Sequence, residues 1–294
     1  MALITEVAFH AQMRKRKIRG YVFYALCLTA VALGLLMLAA LLYNVLSEGL
    51  SRLSWDFITN FPSRFPERAG IHAAILGSIY VVSIAGVVAF SLGVGAAIYL
   101  EEYAKKGTFA SFIQLNIANL AGVPSIVYGI LGLEIFVRIM ELGKSVIAGG
   151  LTLALLVLPI VIIASQEAIR AVPPSLKEGG FALGATKWQV VRRLVLPYAF
   201  PGILTGAILA VSRAVGETAP LIVMGALTFV PFAPDGPMSR FTVLPIQIFN
   251  WVSRPQEGFH VAAAAGIIVL LVVLLTMNAF AVFLRHKFQK GTQW

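Results

Sequence analysis

The chain has 294 residues, 59% of them hydrophobic and only 12% charged. Soluble domains carry about 25% charged residues, so this composition excludes an ordinary soluble protein. The net charge of +10 could suggest a nucleic-acid partner, so where the charges sit decides. With the N-terminus placed inside, fifteen Lys and Arg fall in inside segments, six fall outside, and Arg138 and Arg213 fall within apolar runs. That skew obeys the positive-inside rule and predicts cytoplasmic termini and no nucleic-acid partner.

Residues 1–19 read as a cytoplasmic segment carrying Arg14, Lys15, Arg16 and Lys17. No small-residue cleavage site follows, so residues 20–47 are expected to be a retained first membrane helix, with its single cysteine, Cys27, a small core residue. Residues 48–70 mix Trp55, Phe57 and Phe61 with prolines and charges, which fits an external loop at headgroup level. A second helix over residues 72–99 contains Gly77, Gly86, Gly93 and Gly95, a pattern for close packing on both sides.

The third apolar run, residues 109–140, is interrupted by Asn116, Asn119, Gly122, Pro124, Ser125, Gly129 and Gly132. Proline removes a backbone donor, and such breaks persist at membrane depth only where protein or water covers the freed groups. Two readings stand: the helix lines a path, or it is a kinked packing helix. A fourth helix is expected over residues 145–165, a cytoplasmic loop over 167–200, and a fifth helix over 201–224. An external loop over 225–258 contains a less polar stretch at 243–249, and a sixth helix covers 260–284 before a basic tail, 285–294. The expected fold is all-α and polytopic, with six spans of about 20 residues each.

Within the cytoplasmic loop, Pro173-Pro174 punctuates the chain, Ser175 is placed to cap a short helix, and Glu178 lies in its first turn. Gly184 is placed to stop that helix. Phe181, Leu183 and Trp188 offer apolar anchors ringed by Lys187, Arg192 and Arg193. In the fifth helix, Arg213 and Glu217 are four residues apart and share a face. A charge near the bilayer centre costs at least about 2.5–3.5 kcal/mol, so Arg213 must face protein or water. It either locks helices together as an ion pair or marks an anion path, where a guanidinium fork suits phosphate oxygens.

Glu178-Gly179-Gly180, Gly184 and Leu194-x-Leu196-Pro197 keep the spacing Glu-Ala-Ala, three residues, Gly, nine residues, Ile-x-Leu-Pro. This resembles the "EAA" loop of permease subunits of ATP-binding-cassette importers, with two glycines replacing alanines and Leu194 replacing isoleucine. Arg213-Ala214-Val215-Gly216-Glu217-Thr218-Ala219-Pro220-Leu221 resembles the "RAxGETAPL" stretch of the phosphate-specific importers, in their PstA-type subunit. Gly122-Val123-Pro124-Ser125-Ile126-Val127-Tyr128-Gly129 resembles the same family's "GVPSIVYG" element, and Leu244-Pro245-Ile246-Gln247-Ile248-Phe249 fits its outer loop.

The resemblance runs from about residue 70 to the C-terminus, with 70–284 as a type-1 transmembrane domain, and implies a bacterial inner-membrane permease. It implies a second permease subunit (PstC type), two ATPase subunits (PstB type) holding the ATP, and an external phosphate-binding protein (PstS type). No cofactor is implied for this chain itself. Arg213, Glu217, Thr218, Asn119 and Ser125 are then the expected substrate-path residues, and Glu178, Gly184, Phe181, Leu183, Lys187 and Trp188 the coupling residues. A permease for another oxyanion or a phosphonate, and a non-transporting scaffold or sensor with the same fold, remain alternatives.

Catalytic readings fail on the residues present. Gly143-Lys144-Ser145 imitates the end of a phosphate-binding loop, but position 138, where that motif needs glycine, is Arg138. His10, His72, His260 and His286 fall at segment ends, and Asp56 and Asp235 both fall in external loops. Glu134 and Arg138 form another pair four apart, and Gly202-x-x-x-Gly206 fits a helix-packing face.

Overall fold

A computed structural model describes residues 2–105, 107–226 and 229–289, and among these every regular element is helical. Lys106, Lys290 and the tail beyond residue 289 lie outside the described residues. Helix α1 (Ala2–Gly49) begins at the second residue rather than at Gly20, so the basic cluster shares one helix with the apolar span Arg16–Gly49. Among the side chains described, α1 is covered by the rest of the chain only toward its end, where Gly49 abuts Ala264. Cys27 is therefore exposed on α1 and is not a core residue.

Helix α2 (Trp55–Thr59) is capped by Ser54, whose hydroxyl accepts from the Phe57 amide. Phe57 is only 1% exposed, with its ring centroid 5.8 Å from that of Trp251. Trp55 stays exposed, so this loop is split between interior and surface rather than lying wholly at the interface. Helix α3 (His72–Ile98) runs on through a wider π-helical turn, Tyr99–Tyr103. A Cβ on Gly77 would stand 2.0 Å from the Thr242 carbonyl oxygen, and one on Gly93 would stand 2.7 Å from Val161. Packing on two sides is thus present, although Gly95 faces open space. Gly77→Leu is expected to destabilise the fold by about 1–3 kcal/mol or more, because backbone has to move; a lowered melting temperature in detergent checks this.

The third apolar run is broken outright. Helices α4 (Thr108–Ala121) and α5 (Ser125–Gly132) meet at a bend of 101°, and α5 continues into a π-helical turn, Leu133–Ile139. The Tyr128 hydroxyl donates to the Leu120 carbonyl at 2.7 Å, beside the Val123 amide that the same oxygen accepts, and so ties the two sides of the break together. Helix α6 (Val146–Arg170) is the most buried span. Its first amides are satisfied from far along the chain: Val146 donates to the Ser239 carbonyl and Ile147 to that of Pro237.

Helix α7 (Pro174–Ala182) starts after Pro173, with no side-chain cap, so Ser175 lies inside it instead of capping it. It stops before Gly184, whose φ of +79° is the left-handed conformation expected there. The expected loop then ends early. Helix α8 (Lys187–Val190), a π-helical turn at Val191–Val195 and helix α9 (Leu196–Val215) make one helical run, Lys187–Val215. Thr186 and Gln189 begin it with a reciprocal capping box. The run breaks at Gly216, and α10 (Ala219–Met224) follows, so the fifth helix does not extend unbroken to residue 224. The apolar stretch of the outer loop folds as a buried helix, α11 (Leu244–Val252), and α12 (Glu257–Gln289) closes the chain.

Helix α6 is the centre, with α3, α9 and α5 packed around it. Gly202 and Gly206 of α9 seat on Ala168 and Ala164 of α6, the close-packing face their spacing predicts. The interior forms three clusters: one around α6 with Phe241, one joining Phe57, Trp251 and Phe259, and one joining Ile169, Val190, Val195 and Ile203. Among the described residues, five helices are long and apolar enough to cross a bilayer, and the bent α4–α5 pair makes up to six.

Candidate functional site

Two broken helices meet in the middle of the fold. Helix α5 packs against α10, with Gly129 set so closely on Pro220 that a Cβ would stand 2.7 Å from its Cα. The break at 122–124 therefore belongs to a helix that touches the one following the break at 216–218. The leading amides of α5 have no side-chain cap, and such an end carries a partial positive charge.

Arg213 lies in the last turn of α9, where the helix dipole favours a cation. Its Nε is 3.8 Å from Glu217 Oε1, so the expected pair forms, although Glu217 lies beyond the helix end rather than within it. The pairing is one-sided. Among the described residues the guanidinium has no other partner, and its side chain is 61% exposed against 20% for Glu217. A buried lock within this chain is thereby excluded. Because the run begins at Lys187, Arg213 stands near its far end rather than midway. Asn119 is exposed in the last turn of α4, Ser125 opens α5 half-buried, and Thr218 precedes α10 half-buried. Among the described residues, no side-chain hydrogen bond joins Asn119, Ser125 or Thr218 to Arg213; what the fold brings together is α5, which Ser125 opens, and α10, which Thr218 precedes.

At the opposite end of α9, the α7 segment stands proud of the bundle. Leu183 is 90% exposed at its tip, and Phe181 and Trp188 are exposed beside it. Gly180 faces inward, where a Cβ would stand 2.7 Å from Leu194, so glycine at this position lets α7 lie close on the base of α9. Gly179 faces open space, and Glu178 is exposed. The result is an apolar, solvent-facing tip on a short helix.

Residues that sequence reasoning passed over hold this segment. Glu101 accepts from Gln166 at 2.9 Å and from Arg170 at 2.7 Å. Glu102 accepts from Lys177 at 2.5 Å, and the Lys187 ammonium lies 5.1 Å above the Tyr103 ring. An acidic pair closing a membrane helix, opposite a basic loop, was the available signal. Arg170 is engaged by Glu101 and Glu167, so it is not a free cation. The Glu134–Arg138 pair forms at 2.8 Å on an exposed face, and His260 bonds the Arg254 carbonyl. Among the described residues no group of His, Cys, Asp and Glu could hold a metal.

The architecture is that of a helical multi-pass membrane protein with broken inner helices and one projecting short helix. The chain belongs to the family described as binding-protein-dependent transport system inner membrane component, whose model matches residues 89–290. It is 33% identical over 270 residues to a probable ABC transporter permease protein, YqgI, of Bacillus subtilis, covering 88% of this chain and 91% of that one. It is 31% identical over 274 residues to the phosphate transport system permease protein PstA of Haemophilus influenzae, covering 92% and 96%. With PstA 1 of Mycobacterium tuberculosis H37Rv it shares 30% identity over 287 residues, covering 96% and 92%. Among solved structures it superposes on a bacterial ABC transporter that imports the acidic polysaccharide alginate, with a TM-score of 0.63 at 16% identity over 96% of this chain and all of that one. The MetNI methionine transporter gives 0.56 at 18% identity over 76% and 97%.

Proposed function

We propose that this chain is the PstA-type permease subunit of an ATP-driven phosphate importer in a bacterial inner membrane, with its termini in the cytoplasm. It forms the translocation path with a PstC-type permease subunit and couples through α7 to PstB-type ATPases, while a PstS-type binding protein delivers phosphate from outside. The observation that carries the reading is Arg213: among the described residues its guanidinium is tethered on one side by Glu217 and otherwise unpartnered and exposed, in the last turn before the break that leads into α10, which packs on α5.

A charge so placed must meet protein or water in the membrane. A second subunit enclosing an aqueous path satisfies that requirement, and the free edge of the fork can then contact two phosphate oxygens. Glu217 orients the guanidinium, and Thr218, Asn119 and Ser125 add polar atoms along the same path. At the cytoplasmic end, Phe181, Leu183 and Trp188 enter a groove on the ATPase, Glu178 and Lys187 flank them, and Gly184 sets the turn.

The test is direct. The chain expressed with its neighbouring permease and ATPase is expected to co-purify with the ATPase in fixed stoichiometry. In proteoliposomes with the external binding protein, labelled phosphate should be taken up in preference to sulfate and molybdate by at least about tenfold, or 1.4 kcal/mol. Preference for another oxyanion reassigns the cargo, and a chain that retains no ATPase is not a coupled permease.

A further inference from the structure

From the contacts at the end of α3, we infer that Glu101 and Glu102 are positioning residues for transport. They clasp the coupling segment to α3 and make that helix a second transmission arm beside α9. The proposal rests on the functional reading above and assigns a role that the α7 tip does not itself supply. Three consecutive residues, Glu101, Glu102 and Tyr103, reach three successive parts of the chain: the end of α6 at Gln166 and Arg170, α7 at Lys177, and the start of α8 at Lys187. They sit on the π-helical turn Tyr99–Tyr103, and such wider turns are often found at functional positions.

Among the described residues, helix α7 is held by apolar packing, in which Leu176 joins the cluster around Ala97 and Ile169, and by an ion pair. Its Gly180 face lies on Leu194 and Val190 at the base of α9. Its Lys177 reaches across to Glu102, and the two side chains are only 25% and 10% exposed. The apolar contact transmits movement to α9, and the ion pair transmits it to α3.

Helix α3 has what a transmission arm needs. At about 1.5 Å per residue its 27 residues span the bilayer. At its far end the Ser78 hydroxyl accepts from the Leu244 amide at 2.9 Å, and so caps α11 in the outer loop. There too Gly77 lies against the Thr242 carbonyl. Displacement of α7 by an ATPase is therefore delivered, through Glu102, α3 and Ser78, to the outer helix that would face the binding protein. Rigid, packed elements joined by discrete contacts are the physical means by which such coupling travels.

The experiment measures phosphate imported per ATP hydrolysed by the reconstituted full complex. It compares wild type with Glu102→Lys, Lys177→Glu, the exchange of both, and the neutral pair Glu102→Gln with Lys177→Gln. Each single reversal is expected to lower the ratio at least about tenfold while the ATPase still co-purifies, and the double exchange to restore it to within about threefold. Where a single reversal prevents assembly, the neutral pair decides: a lowered ratio supports the clasp, and a wild-type ratio overturns it. A double exchange as defective as either single also overturns it. A wild-type complex that retains ATPase yet imports no phosphate overturns the functional reading, and the clasp with it; normal wild-type import with an unrescued exchange overturns the clasp alone.

Discussion

Gly184→Asp is expected to abolish ATP-driven uptake while leaving membrane insertion and protein level close to wild type. Gly184 holds a φ of +79° with open space around it, so the added side chain meets no clash within this chain. Strain is modest, about 1–2 kcal/mol for a left-handed residue and less for aspartate, which visits that region. The larger effect falls outside the chain. The carboxylate lands beside Leu183, which is 90% exposed at the apolar tip, and burying an unpaired charge at a docking surface costs several kcal/mol. Loss of about 3 kcal/mol of docking weakens the contact more than a hundredfold. Uptake, ATPase co-purification and the amount of permease in the membrane are measured together. Normal uptake by this variant removes α7 from the coupling role; loss of all three together makes Gly184 a folding residue.

Arg213→Ala is expected to lower phosphate uptake at least about a hundredfold, about 2.7 kcal/mol, with assembly largely intact. The physical ground is the exposure of the side chain: among the described residues the guanidinium has one ion-pair partner, Glu217 Oε1 at 3.8 Å, and is 61% exposed, so its removal leaves no packed cavity here. Removal does leave Glu217 unpaired, which is why Arg213→Lys is the better control. Lysine keeps the charge but loses the planar fork, and it is expected to restore assembly fully and transport only in part. Equal loss of assembly and uptake in Arg213→Ala would assign the arginine to subunit packing. Full uptake would remove it from the path.

How much of this was legible in the residues differs from place to place. Hydropathy length marked the spans, because crossing hydrocarbon with every backbone group satisfied leaves a helix few alternatives. The stop at Gly184 was legible because left-handed backbone favours glycine so strongly. The start of the α8–α9 run at Lys187 was readable but overlooked. Thr186 and Gln189 formed the signal, and the basic residues Arg192 and Arg193 masked it by resembling loop. Ser175 was a false cap, since Pro173 and Pro174 already set the helix start.

Contacts distant in sequence were not legible at all. Nothing local to Ser78 indicates that it caps α11, and nothing local to Glu102 selects Lys177 from the basic residues of the loop. The bend of 101° was visible only as a break, because its angle depends on what α5 packs against.

The sequence by itself determined the class of molecule, the order of the spans, the break at Pro124 and the pairing of Arg213 with Glu217, because membrane burial and backbone chemistry act over short stretches of chain. The tertiary structure alone decided that the fifth helix breaks at Gly216, that α5 and α10, the helices after the two breaks, pack on each other, that Arg213 is exposed within this chain, and that Glu101 and Glu102 grip the coupling segment. Those facts depend on which helices approach, and approach is set by shape matching across the whole fold, where glycines such as Gly129 and Gly180 admit a neighbour that any larger residue would hold away.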